Sequence, residues 1–200
     1  MRYMITAFVA AGILSTAGLA QTATPTPAPA ASNNIMDKAV NKPGANWAVY
    51  GASQTNKMLT DDSVAGGQFV RATVTAKGAN AWDAGASSPI QKPIAAGDTI
   101  LVAIWLRGPE LKDGETMPLP YIGANGAAAP YEGLVNANVT IGNKWKLYYA
   151  SGKASKNFAG GTMNATVHLA SDKHVIDLGP VFVLDFGQNY TKRLPDNNTP

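Results

Sequence analysis

The chain has 200 residues and no cysteine. That absence excludes a disulfide framework, zinc-thiolate sites and thiol nucleophiles together. Charge is scarce too: Asp, Glu, Lys and Arg make up 14% of the chain and the net charge is +3. A nucleic-acid surface needs basic residues gathered on one face. Here Lys144, Lys146, Lys153 and Lys156 alternate with aromatic and small residues, as solvated strand and turn positions do. Only two imidazoles are available, His168 and His174, and the nucleophile-elbow, zinc-helix and phosphate-loop patterns are all missing. The carboxylates Asp83, Asp98, Glu110, Asp113, Glu115, Glu132, Asp172, Asp177 and Asp185 lie mostly in turn contexts. Their spacing pairs no two of them as the facing acid and base of a glycosidase. The expectation is a protein that is not an enzyme, with no catalytic residue.

At the start, residues 5–14 form an almost unbroken apolar stretch, shorter than the ~20 residues a bilayer core requires. Arg2 precedes it, and Gly18 and Ala20 stand at −3 and −1 to a cut before Gln21. Residues 1–20 therefore read as a signal peptide, which predicts a secreted, periplasmic or cell-surface protein with no membrane span after cleavage. Residues 21–36 follow as a Pro/Thr/Ala-rich, semi-rigid linker. Residues 37–190 are expected to form the folded domain, and residues 191–200 a flexible polar tail.

Within the domain the apolar period is two, the period of strands whose faces alternate between core and solvent. Trp47 and Val49 share one face of a short strand, and Val70, Ala72 and Val74 share one face over 68–76. Residues 99–107, TILVAIWLR, are apolar on both faces, which marks a strand covered on both sides or at a sheet centre. Further strands are expected over 117–122, 135–141, 144–150, 161–170 and 174–186, with Gly, Asn, Asp and Pro clusters between them. Around eight strands without helical periodicity predict an all-β fold, an antiparallel two-sheet sandwich of the jelly-roll kind.

Among the aromatics, Trp105 and Trp145 have apolar company in sequence and are read as packing residues. Trp82 has none: it sits in GANAWDAGASS, among small and polar residues. An indole face suits the C–H face of a pyranose ring. Trp82 is thus either a stacking platform or a plug at one end of the sandwich. Tyr121 and Tyr131 are candidates to act with it. In TMNATVHLA, Met163, Ala165, Val167 and Leu169 take one face, so His168 points the other way with Asn164 and Thr166.

The order of AGGQFVRATVTAKGANAWDA, PIAAGDTILVAIWLRG, Lys144-Trp145 and GPVFVLDFG resembles the carbohydrate-binding modules of families four and nine, over residues 47–186. The resemblance implies a concave cleft with aromatic side chains clamping a polysaccharide or cell-envelope glycan. Trp82 matches the clamping tryptophan, Tyr121 falls near its aromatic partner, His168 lies on a strand that could reach the groove, and Arg107 matches a family arginine with either a binding or a structural role. No cofactor is required, although many such modules hold a structural calcium through a final-strand carboxylate, here Asp185. The family's opening motif for other calcium ligands is replaced by IMDKAVNKPGANW, where Asp37 is a weak substitute. An exported structural or surface-assembly subunit, using the same frame for self-association without glycan binding, is the alternative expectation.

Overall fold

A computed structural model of the protein describes residues 34–197. The expected signal peptide and most of the expected linker lie outside the described residues. Ten strands follow one another: β1 (Ala48–Tyr50), β2 (Gln54–Thr60), β3 (Gln68–Val74), β4 (Gly85–Ile90), β5 (Thr99–Arg107), β6 (Met117–Gly126), β7 (Gly133–Ile141), β8 (Lys146–Lys153), β9 (Met163–His168) and β10 (His174–Asp185). They form two five-stranded sheets, ordered β1-β4-β9-β6-β7 and β2-β3-β10-β5-β8, with every pairing antiparallel. The fold is the all-β jelly-roll sandwich that the period-two pattern predicts. No described helix is long and apolar enough to cross a membrane.

Two strands exceed the expected eight, and each escapes for a physical reason. β2 is an edge strand whose residues are mostly exposed, so QTNKMLT carries no apolar alternation to read. β4 has the opposite problem. Its GASSPI lies between β1 and β9 and opens with small residues, so little apolar alternation shows in it. A Cβ on Gly85 would lie 2.6 Å from the Tyr50 ring and 2.8 Å from the Val167 carbonyl oxygen.

The core lies between the sheets, where the inward-facing side chains of both meet. Ile104, Leu106 and Leu178 from one sheet and Ile122, Ile141 and Val167 from the other are fully buried. Each such aliphatic side chain contributes about 1.5–3 kcal/mol relative to exposure. β5 is covered on both faces, as its composition predicts. Its outer Leu101 packs with Ala39 and Leu184 in a second cluster, which Phe182, Phe186 and Leu194 border.

β3 covers only the first half of β10, from His174 to Leu178. Past a register shift between Leu178 and Val181, the vacated side of β10 is taken by the segment before β1, through bridges Ala39–Leu184 and Gly44–Val181. Buried Asn41 stands in for a strand there: its Nδ2 donates to the Val181 carbonyl (3.0 Å) and its Oδ1 accepts from the Val183 N–H (2.8 Å). The Trp47 indole N–H donates to the Gly179 carbonyl at 2.7 Å, tying the same segment to the irregular point of β10.

Candidate functional site

The outer face of the β1-β4-β9-β6-β7 sheet carries a cleft of about 720 Å³. Its floor follows from strand alternation. On β9, Met163, Ala165 and Val167 point into the core, so Asn164, Thr166 and His168 point outward and line the cleft. Ser87 of β4 lies beside Thr166, and Tyr121 and Asn125 of β6 complete the floor on the other side. Tyr50 of β1, Trp82 and Tyr131 form its walls.

Trp82 stands on a single 3-10 turn, Ala81–Asp83. The Asp83 carboxylate accepts the Asn80 N–H (2.8 Å), closing the turn. Backbone bonds from Leu169 to Ala84 and from Ala170 to Ala81 pin the loop to the end of β9. Small residues allow that close approach. They also leave the indole without apolar neighbours, and it is 58% exposed. An indole this exposed does not plug the end of the sandwich. The indole meets His168 edge-on, with centroids 6.1 Å apart, and His168 in turn stacks on Tyr121 at 4.3 Å and 17°. Trp82, His168 and Tyr121 thus form one continuous row of rings.

Tyr131 reaches the cleft from the loop between β6 and β7 and is 62% exposed. Its backbone is left-handed, φ 54°, an uncommon conformation for an aromatic residue and a cost the surrounding loop must offset. Backbone bonds Gly126–Glu132, Ala127–Thr162 and Tyr131–Ala128 hold the loop, and Lys156 pairs with Glu132 at 2.5 Å. Tyr50 has no signal in a three-residue strand. It enters the cleft because β1 is placed beside β4, where Gly85 leaves room for its ring. Only the tertiary pairing reveals it.

Electrostatically the cleft is quiet. Among the described residues no Asp, Glu, Lys or Arg lines it. Burial lowers the His168 pKa below its ordinary 6.5, which keeps the imidazole neutral at pH 7. Burial, reinforced by nearby Tyr50, pushes the Tyr121 phenol up to about 12, and its hydroxyl donates to the Ala124 carbonyl at 3.4 Å. The cleft thus offers flat ring faces, neutral hydroxyls and the amides of Asn125 and Asn164.

Trp82, Tyr121, Tyr131 and His168 are brought together, but Arg107 is not among them. It lies on β5 in the opposite sheet, where its Nε donates to Asp177 (2.8 Å) and its Nη1 pairs with Asp61 (2.9 Å). Its guanidinium sits 4.5 Å over the Trp145 ring and 5.4 Å over Phe69. Arg71 takes the other side of Asp177 with two bonds of 2.7 and 2.9 Å, and Asp177 is completely buried beneath the pair. Strand order decides the placement: β10 runs between β3 and β5, so register aligns Arg71, Asp177 and Arg107 across the sheet. The likeness to a family arginine carries no information about which sheet it faces.

Asp185 lies beside Asp98, hydrogen-bonded to it. Burial first, and then the neighbouring carboxylate, raise its pKa. Two oxygens of the pair are already engaged, Asp98 Oδ2 by the Ala95 N–H and Asp185 Oδ1 by the Gly187 N–H, both at 2.7 Å. Calcium takes six or more oxygen ligands. Among the described residues no group of three or more His, Asp or Glu side chains gathers to hold a metal, and Asp37 is exposed on the turn Ile35–Lys38. His174 lies away from the cleft lining, with its Nε2 2.7 Å from the Leu169 carbonyl.

No family model matches the sequence, and no curated protein matches it. Solved structures do match in shape. The second N-terminal cellulose-binding domain of Cellulomonas fimi β-1,4-glucanase C aligns with a TM-score of 0.55 at 13% identity, covering 76% of this chain and 98% of that one. A CBM4 carbohydrate-binding module aligns with a TM-score of 0.53 at 13% identity, over 70% of this chain and 94% of the module. The α-L-arabinofuranosidase MgGH51 aligns with a TM-score of 0.53 at 12% identity, and there the match spans about a quarter of the enzyme, 26% of its chain. The chain therefore has the β-jelly-roll fold of carbohydrate-binding modules.

Proposed function

We propose that this domain is an exported, non-catalytic carbohydrate-binding unit that holds a polysaccharide along the cleft by ring stacking and hydrogen bonds. The observation that carries the reading is the row Trp82–His168–Tyr121 set between Tyr50 and Tyr131 in a cleft without ionised side chains. Sugar rings present C–H faces to aromatic planes and hydroxyls to amides and phenols, and an uncharged ligand enters such a site without stripping water from a buried charge. The lining supplies no carboxyl to protonate or attack a glycosidic bond, so binding leaves the bond intact. The fold is shared with a cellulose-binding domain, which agrees with the reading at the level of architecture.

Depletion from solution by insoluble xylan, cellulose, β-glucan and cell envelopes tests it, with Trp82→Ala and Tyr121→Ala beside the wild type. One stacked ring contributes about 0.5–1.5 kcal/mol, so each variant should bind up to roughly tenfold more weakly. Trp82→Ala should leave the thermal midpoint unchanged because the ring is exposed. Equal depletion of wild type and both variants, or none with any glycan, would sink the proposal.

A further inference from the structure

The cleft has two unlike ends. Asn164, Thr166 and His168 share the outward face of β9, so about 13 Å of strand separates the aromatic row at His168 from Asn164. At the Asn164 end, register sets Asn125 of β6 between Asn164 of β9 and Gly133 of β7, and all three line the cleft. Two side-chain amides thus stand side by side. Among the described residues the Asn164 amide has no hydrogen-bond partner. Asn125 Nδ2 donates to the Gly126 carbonyl at 3.3 Å, and its Oδ1 is enclosed without a donor. A buried acceptor left unsatisfied is costly, and a single long bond orients this side chain, so a small turn brings Oδ1 to a ligand N–H. Gly133 leaves a hollow beside the pair. Residues opposed across two strands share a face, so a Cβ here would stand next to Asn125, and it would meet nothing within 4 Å.

We infer that this amide end takes an acetamido group, so that the glycan held in the cleft is built from N-acetylated amino sugars; the inference rests on the carbohydrate-binding reading above. An acetamido group carries an N–H, a carbonyl and a methyl in one planar unit. The paired asparagines supply an acceptor for the first and a donor for the second, as one amide meets another. The hollow at Gly133 takes the methyl without displacing a side chain. A hydroxyl at the same ring position is too short to span both amides and fill the hollow. Charge points the same way. Among the described residues the lining holds no carboxylate for a free amino sugar and no cation for a uronic acid, whereas an acetamido sugar is neutral.

Isothermal titration with chito-oligosaccharides and with cello-oligosaccharides of the same length tests the inference, because the two chains differ only in the group at the second carbon of each ring. The wild type should bind the N-acetylated chain about tenfold more tightly, the worth of one or two hydrogen bonds. Gly133→Val fills the hollow without a steric conflict. It should remove that preference by weakening the N-acetylated chain, while cello-oligosaccharide affinity and the thermal midpoint stay unchanged. Asn125→Leu removes the amide at similar size and should abolish the preference in the same way. Depletion by insoluble chitin and by peptidoglycan then distinguishes the two polymers that carry the group, and binding to either supports the inference. Equal or tighter binding of cello-oligosaccharides, or an N-acetyl preference that survives both variants, overturns it with carbohydrate binding intact. Binding of neither chain overturns it as well; if xylan and β-glucan also fail to deplete the protein, the carbohydrate-binding reading falls with it.

Discussion

At the scale of single residues, His168 has the most unusual surroundings. It lies between an indole and a phenol, with Gly85 of β4 opposite it in register, and among the described residues its ring has no charged neighbour in the cleft. Burial already depresses its pKa, and a bound glycan would bury it further. The bound state then holds fewer protons than the free state, so affinity should be full above the ordinary histidine value and decline as pH falls below it. Isothermal titration from pH 7.5 to 4.5 should show this decline, and His168→Gln should flatten it. The legibility of these residues differs for physical reasons. Trp82 is readable because a large ring among small polar residues has no local packing role, and His168 because period two fixes its face. Tyr50 is unreadable, since three residues define no period and its position depends on a cradle at Gly85.

At the scale of elements, the segment before β1 behaves as an extra strand on β10, and Asn41 is its anchor. Asn41→Ala would leave the Val181 carbonyl and the Val183 N–H buried without their side-chain partner. Each orphaned group costs about 1–3 kcal/mol, so the variant should lose roughly 2–6 kcal/mol in denaturant unfolding. An unchanged midpoint would show that water or the relaxed segment replaces the amide. The tail provides a parallel case. Composition predicts fraying over residues 191–200, yet Leu194 reaches the outer cluster and Asn197 binds β8. Neither contact has a sequence signature, because an asparagine in LPDNNTP reads the same whether or not a strand edge lies beneath it.

At the scale of the molecule, the two sheets divide the work. One carries the cleft, and the other carries the buried Asp177 between Arg71 and Arg107, with Phe69 and Trp145 beneath the guanidinium of Arg107. Stability and binding should therefore separate. Asp177→Ala strands two arginines against a buried site, and removing one partner of such a network costs about 3–5 kcal/mol. The thermal midpoint should fall by several degrees or more, while glycan affinity well below that midpoint stays at the wild-type value. A matching loss of affinity would mean that the network also shapes the cleft.

The sequence by itself determined the class of fold, the strands with apolar alternation and the outward face of β9, since each follows from local spacing and the physics of a half-buried sheet. It also marked Trp82 as an indole in search of a purpose. Which residues share a cleft was decided only in three dimensions: strand order placed Tyr50 beside Gly85, sent Arg107 to the far sheet and set Asp185 against Asp98. Spacing fixes the face of a strand, but not which strands become neighbours, because pairing is settled by contacts between residues far apart in the chain.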